Sequence, residues 1–130
     1  MHPRTHAATH PDKPAYIMAG SGETVTFAEL SARANQMAHA LRAQGLKPGD
    51  TIALFAENSP RYFEICWGAH AAGLYYVAIS SRLTAPEVEY IVKDSGAELL
   101  IASYGLASVA ETVKGLTDCR AYWSIDGDIV

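Results

Sequence analysis

Short apolar runs alternate with amphipathic segments along most of the chain. The runs "TIALFA", "LYYVAI", "AELLIA" and "AYWSI" begin near residues 51, 74, 98 and 121, and each pair is separated by one helical pattern. Such continuous runs are typical of strands buried on both faces, and their spacing of about 23 residues is typical of βαβ units. We therefore predict an α/β fold, a parallel sheet of consecutive βαβ units with helices on both faces.

Capping and stop residues mark the helix boundaries. Two Thr-x-x-Glu capping boxes predict the starts of two helices: Thr26 with Glu29, and Thr84 with Glu87. Ser59 as N-cap and Pro60 in the first helical position predict the start of another. Glycine ends each of these helices, at positions 45, 73 and 96. The apolar residues of the first helix predict one buried stripe: Leu30, Ala34, Met37, Ala38 and Leu41.

The N-terminal region has a different character. "AYIMAG" and "TVTF" flank "SGE" and predict a small β-hairpin before the sheet. We expect residues 1–12 to be a loose arm and residues 13–130 to be one α/β subdomain. His2, His6 and His10 lie four residues apart, a spacing that on a helix would suit a metal ion. Prolines at positions 3 and 11 disfavour that helix, so a solvated arm without a metal is the preferred interpretation.

Charge and cysteine content exclude several classes of function. The 130 residues carry a formal net charge of −4, with no stripe of Lys and Arg, so we expect no nucleic-acid partner. Cys66 and Cys119 lie far apart without a CxxC pair, which argues against a disulfide framework or a zinc site and favours the cytoplasm. The longest uncharged run, residues 65–81, is too short and too rich in glycine for a membrane span.

Polar residues follow two of the predicted strands, where ligands of α/β proteins often bind. Glu57 and Asn58 either cap the next helix or face a ligand. Arg82 precedes a helix N-terminus, where the helix dipole disfavours a cation, so its partner is solvent, a carboxylate or an external anion. We interpret His70 as a buried structural histidine. The chain contains neither GxGxxG nor GxxxxGK[ST], and we assign no catalytic residue.

The order of three segments carries a resemblance. "TVTFAEL", "GLKPGDTIALFAENSPRYFE" and "GAHAAGLYYVAISSRLTAPEVEYIVKDSGAELLI" together resemble the N-terminal subdomain of adenylate-forming enzymes, which include acyl-CoA synthetases and luciferases. Fatty-acyl-CoA synthetases look most similar, because "SRLTAPEVEYIVKDSGAELLI" matches their "PRLTPEELAYIL.DSGA..LI" at most positions. Ala78 and Ser80 depart from the family's "VPIN", which leaves the subfamily open.

The resemblance implies an acid–thiol ligase. Such an enzyme joins a carboxylic acid, here a fatty acid, to AMP from ATP with Mg²⁺, and then transfers the acyl group to coenzyme A. The family's phosphate loop and catalytic lysine lie downstream of the matching region, so we expect this stretch alone to be an inactive fragment that binds no cofactor. The resemblance also implies that Arg82 contacts the nucleotide phosphates of coenzyme A.

Two other hypotheses remain at this point. A stand-alone flavodoxin-like or receiver-like binding domain would have the same βα rhythm and the same length. An interaction module would form a homodimer through surface that a longer protein covers.

Overall fold

The computed structural model describes residues 2–126 of the chain. Its contacts divide the chain into two compact units: Met1–Gly45 with Ser59–Ala72, and Leu46–Asn58 with Gly73–Val130. No helix within residues 2–126 combines the length and the apolar composition that a membrane crossing requires.

The first unit consists of three helices and a hairpin. Its elements are α1 (Pro3–Thr9), β1 (Pro14–Ile17), β2 (Thr24–Thr26), α2 (Phe27–Ala43) and α3 (Tyr62–Ala71). Strands β1 and β2 pair antiparallel, which confirms the predicted hairpin. The predicted stripe of α2 is buried at Leu30, Ala34, Ala38 and Leu41. Helix α3 packs against α2, with Gly68 of α3 lying beside Met37 and the carbonyl of Ala34.

The second unit is a parallel sheet with two helices. Its elements are β3 (Thr51–Phe55), β4 (Tyr75–Ile79), α4 (Ala85–Ser95), β5 (Leu99–Ser103), a 3₁₀ turn (Tyr104–Leu106), α5 (Ala107–Leu116) and β6 (Ala121–Ile125). The four strands lie in the order β4-β3-β5-β6 and are all parallel, as the apolar runs predict. One core cluster joins residues of the sheet with Val88 and Val92 of α4 and Ala110 and Val113 of α5.

The strands of this sheet differ in burial. Every residue of β5, and all of β3 except Thr51, is buried. Strand β4 is mostly exposed, with 69% of Tyr75 and 45% of Tyr76 accessible to solvent, so the prediction of burial was wrong for this strand. Within the described residues β4 pairs with β3 alone, because it is an outer strand of the sheet. An apolar run therefore identified the strand correctly but not its place in the sheet.

The predicted helix ends agree with the structure better than the predicted starts. Glycines 45, 73 and 96 follow their helices with positive φ angles of 93°, 76° and 68°, a conformation that glycine adopts without strain. Thr26 caps α2, since its hydroxyl accepts the N–H of Glu29 at 3.2 Å. Thr84 is the N-cap of α4, but its hydroxyl donates to the carboxylate of Glu87 and forms no bond to a backbone N–H.

The start of α3 differs from the prediction. The helix begins at Tyr62 rather than at Pro60. The Ser59 hydroxyl accepts the N–H of Arg61 at 3.0 Å, and the Ser59 carbonyl accepts the N–H of Tyr62 at 3.1 Å. Ser59 thus closes a turn ahead of the helix. This use of a serine competes with capping because both satisfy nearby N–H groups.

The first residues also differ from the expected loose arm. Pro3–Thr9 form α1, with Pro3 buried in its first turn, where a proline has no N–H to lose. His2 is the N-cap of this helix, and its Nδ1 accepts the N–H of Arg4 at 3.1 Å. The helix contacts α2 through the ring of His6, which lies 4.8 Å from the ring of Phe27.

Candidate functional site

The carboxyl ends of β3 and β5 meet at one point of the second unit. The chain passes from β3 to β4 on one side and returns to β5 on the other side of β3, so the direction of the strand order reverses between β3 and β5. Crevices at such switch points are common ligand sites in α/β proteins. The N–H of Glu57, just after β3, donates to the Ser103 hydroxyl at the end of β5, over 2.9 Å.

Glu57 and Asn58 follow β3, Tyr104 follows β5, and all three residues are exposed. Ser103 is only 4% exposed, and its hydrogen bond with Glu57 joins the ends of the two strands. A Cβ placed on Gly105 would lie 3.5 Å from Glu57 Oε1, which locates the Glu57 carboxylate over the loop that follows β5. This part of the molecule presents one exposed carboxylate, and the partly buried hydrogen bond between Glu57 and Ser103 has a structural role.

Arg82 follows the outer strand β4. Its backbone N–H donates to the Ser80 hydroxyl at 3.4 Å, and the N–H of Leu83 donates to the Ser80 carbonyl at 3.2 Å, so the arginine lies in a tight turn before α4. The Arg82 side chain is exposed, and its guanidinium has no hydrogen bond or ion pair with any residue in the described part of the chain. No carboxylate of those residues explains this cation, which leaves solvent and an external anion.

The histidines do not form a metal site. His6 lies against Phe27, whereas His2 lies 5.0 Å from the ring of Trp67 and 5.5 Å from that of His70. His10 contacts the hydroxyl of its neighbour Thr9. Residues 2–126 contain no group of three or more His, Cys, Asp or Glu side chains placed to hold a metal ion.

His70 is exposed, so its interpretation as a buried histidine was wrong. It lies near the C-terminal end of α3, with its ring 5.5 Å from those of His2 and Trp67. Its apolar sequence neighbours misled the prediction, because Ile65, Cys66 and Ala69 occupy the buried side of the same helix.

A buried carboxylate in the first unit was not predicted. Glu64 on α3 is 6% exposed, with Oε1 3.3 Å from Arg61 and Oε2 4.0 Å from Arg33. The neighbouring Tyr16 donates its hydroxyl to the carbonyl of Pro60. Burial raises the pKa of Tyr16 to about 12, and the charge of Glu64 contributes to the same shift. These contacts hold the hairpin and α3 together within the unit.

Neither Ser103 nor Glu64 was identified from the sequence. Ser103 stands at the end of the apolar run of β5, as Glu57 stands just after that of β3. Its position at a strand end could therefore have identified it as a candidate site residue. Glu64 stands three residues after Arg61, a spacing that predicts an ion pair but says nothing about burial.

Comparisons of sequence and of structure relate this chain to known proteins. A sequence model of the family described as "AMP-binding enzyme" matches residues 3–127. A fatty acid–[acyl-carrier-protein] ligase from Streptomyces coeruleorubidus is 41% identical over 91% of this chain and 24% of its own length. A feruloyl-CoA synthase from Amycolatopsis sp. is 40% identical over 76% of this chain and 20% of its own length.

The fold comparison agrees with the sequence comparison. A solved fatty acyl CoA synthetase of Mycobacterium tuberculosis superposes with a TM-score of 0.88 at 30% identity, over 95% of this chain and 26% of that one. The chain thus spans about a quarter of the length of these proteins.

Proposed function

Because this chain belongs to the family of AMP-binding enzymes, we propose that the protein carrying it is an acid–thiol ligase whose substrates are a fatty acid, ATP and coenzyme A. The match over residues 3–127 carries this proposal, and the similar proteins named above are ligases or synthases that act on carboxylic acids. Membership of this family favours the ligase over a stand-alone flavodoxin-like or receiver-like domain.

The proposed reaction has two steps. A carboxylate oxygen of the acid attacks the α-phosphorus of ATP, and pyrophosphate leaves with the electrons of the broken P–O bond. The sulfur of the thiol then attacks the acyl carbonyl, AMP leaves with the electrons of the C–O bond, and the thiol proton passes to a base. Negative charge develops on the departing pyrophosphate in the first step and on the departing AMP in the second. The enzyme has to stabilise this charge with cations and hydrogen-bond donors.

This chain supplies a limited part of that machinery. We propose that residues 1–130 alone are inactive and bind no cofactor, since the phosphate loop and lysine that the family uses are not found in them. Residues 13–130 are proposed to be the N-terminal subdomain of the ligase. Mg²⁺ is a cofactor of the proposed reaction, but no step through it is assigned to the described residues, which contain no group of three or more His, Cys, Asp or Glu side chains that could hold a metal ion. We propose a cytoplasmic location.

We propose that Arg82 contacts a nucleotide phosphate of coenzyme A. Its exposed guanidinium, its place in a turn at the carboxyl end of β4 and its lack of a partner among the described residues support this role. A guanidinium suits phosphate because its N–H groups match two phosphate oxygens at once.

Arg82→Ala in the ligase that carries this chain tests the role. We expect the KM for coenzyme A to rise about tenfold, since a charge-assisted hydrogen bond to phosphate is lost. The rate of acid-dependent exchange between ATP and pyrophosphate should stay unchanged, because that reaction precedes coenzyme A.

The matched control is Arg120→Ala, which removes an exposed arginine that pairs with Glu98 at 2.9 Å and should leave the KM unchanged. An unchanged KM in Arg82→Ala would remove the residue from the coenzyme A site without affecting the ligase proposal. Absence of exchange with every acid, fatty or aromatic, would refute the ligase itself. Release of AMP with acyl-carrier protein but not with coenzyme A would correct only the thiol acceptor.

A further inference from the structure

The first unit has an open cleft of about 450 Å³ whose ionisable residues are all arginines and histidines. They come from three helices: His2 and Arg4 from the start of α1, His39 and Arg42 from α2, and His70 from α3. Asn35 of α2 adds an amide to the lining. The acidic residues of this unit, Asp12, Glu23, Glu29 and Glu64, do not line the cleft. Two arginines and three histidines therefore line one cleft of a chain whose net charge is −4.

The two arginines are not neutralised by carboxylates. Arg42 Nη2 donates to the carbonyl of Ala71 at 3.1 Å, which anchors the side chain at the cleft and leaves its other N–H groups available. The Arg4 guanidinium has no hydrogen bond or ion pair within residues 2–126, and both arginines are exposed. Two guanidinium groups therefore border one cleft without a protein anion to balance them.

The histidines add hydrogen-bond donors. His2 accepts the N–H of Arg4 at Nδ1, so its neutral ring carries the proton on Nε2 and that nitrogen is a donor. Burial lowers the pKa of His2, and repulsion from His70 and Arg4 lowers it further. An anion would relieve that repulsion.

We propose that this cleft binds a phosphate group, either as free inorganic phosphate or as the terminal phosphate of a phosphomonoester. A phosphate dianion presents three or more oxygens, which matches two guanidinium groups and several imidazole and amide donors from three helices better than the two oxygens of a carboxylate. A metal ion does not fit, because the cleft lacks carboxylates and has two permanent cations. The proposal depends neither on the ligase reaction nor on Arg82.

Titration of the ¹⁵N-labelled chain with inorganic phosphate, followed by ¹H–¹⁵N spectra of backbone and histidine side chains, tests the proposal. We expect saturable shifts confined to the cleft residues, and the double variant Arg4→Gln/Arg42→Gln should bind at least about tenfold more weakly. Lys13→Gln, which removes a charge from the same unit outside the cleft, should bind like the parent chain. Acetate should bind at least about tenfold more weakly than phosphate.

A second variant and a second source of phosphate complete the test. His39→Gln alters a single exposed side chain and should also weaken binding, so the test stands even if the double variant does not fold. Phosphatidylcholine vesicles with and without phosphatidic acid distinguish a lipid phosphomonoester from free phosphate, and capture only by phosphatidic acid would support a lipid source. No binding to either source, equal binding of acetate, or equal loss in Lys13→Gln would overturn the proposal.

Discussion

Gly68 allows α3 to pack directly on α2 in the first unit. A Cβ at this position would lie 2.5 Å from Met37 Cγ and 3.0 Å from the carbonyl oxygen of Ala34. Methionine yields readily, but a helix backbone does not, so Gly68→Ala forces the two helices apart. Overpacking of this kind costs about 1–3 kcal/mol. Better helix propensity returns up to about 1 kcal/mol, so we expect a net loss of about 1 kcal/mol in the free energy of unfolding.

Urea denaturation followed by circular dichroism measures this loss, and Gly115 provides the control. Gly115 lies in α5, and a Cβ there meets no atom within 4 Å. Gly115→Ala should therefore raise the free energy of unfolding by up to about 1 kcal/mol. Equal changes of the same sign in both variants would show that the contact with α2 has no part in the effect.

At the scale of elements, α2 and α4 begin with the same Thr-x-x-Glu pattern but different hydrogen bonds. The Thr26 hydroxyl accepts the backbone N–H of Glu29, whereas the Thr84 hydroxyl makes no such bond and donates to a carboxylate at 2.8 Å. Thr26→Ala should lower the free energy of unfolding by about 1 kcal/mol, since the Glu29 N–H in the first turn loses its acceptor. Thr84→Ala should cost only a few tenths of a kcal/mol.

The same denaturation experiment separates the two threonines, and hydrogen exchange of the Glu29 amide reports the cap directly. Faster exchange at this amide is expected in Thr26→Ala and not in Thr84→Ala. Equal losses of stability would mean that the threonines act through backbone preference rather than through the observed cap bond.

At the scale of the whole molecule, the outer strand β4 predicts self-association. Its residues Tyr75, Tyr76 and Ala78 are exposed, and within residues 2–126 one of its edges pairs with no other strand, so its N–H and C=O groups can pair with a second strand. We expect the 130-residue chain to form a homodimer as its concentration rises, in a sedimentation equilibrium experiment. Ala78→Lys should weaken the dimer, because a charged residue on the outer strand opposes pairing. The control Ala40→Lys, at an exposed position of α2, should leave the dimer unchanged. A strictly monomeric chain at every concentration would contradict this expectation.

Much of the fold was predictable because its signals are local. The run "AYWSI" coincides with β6, and glycines 45, 73 and 96 end their helices with the positive φ angles that a stop requires. Burial was less predictable: β4 and β5 are both apolar in sequence, yet one is exposed and the other buried. Of the candidate site, Glu57 and Arg82 were identified by position, whereas the bond between Glu57 and Ser103 joins residues that are 46 positions apart.

The amino-acid sequence by itself determined the family and the order and type of the elements from β1 to β6, although it did not reveal α1. Hydrophobic period, capping residues and glycine act within one or two turns of chain, so they are present before any tertiary contact forms. Only the tertiary structure decided the strand order, the exposure of β4 and His70, and the assembly of the basic cleft from α1, α2 and α3. Those properties depend on residues far apart in sequence, and no local preference specifies which distant segments will meet.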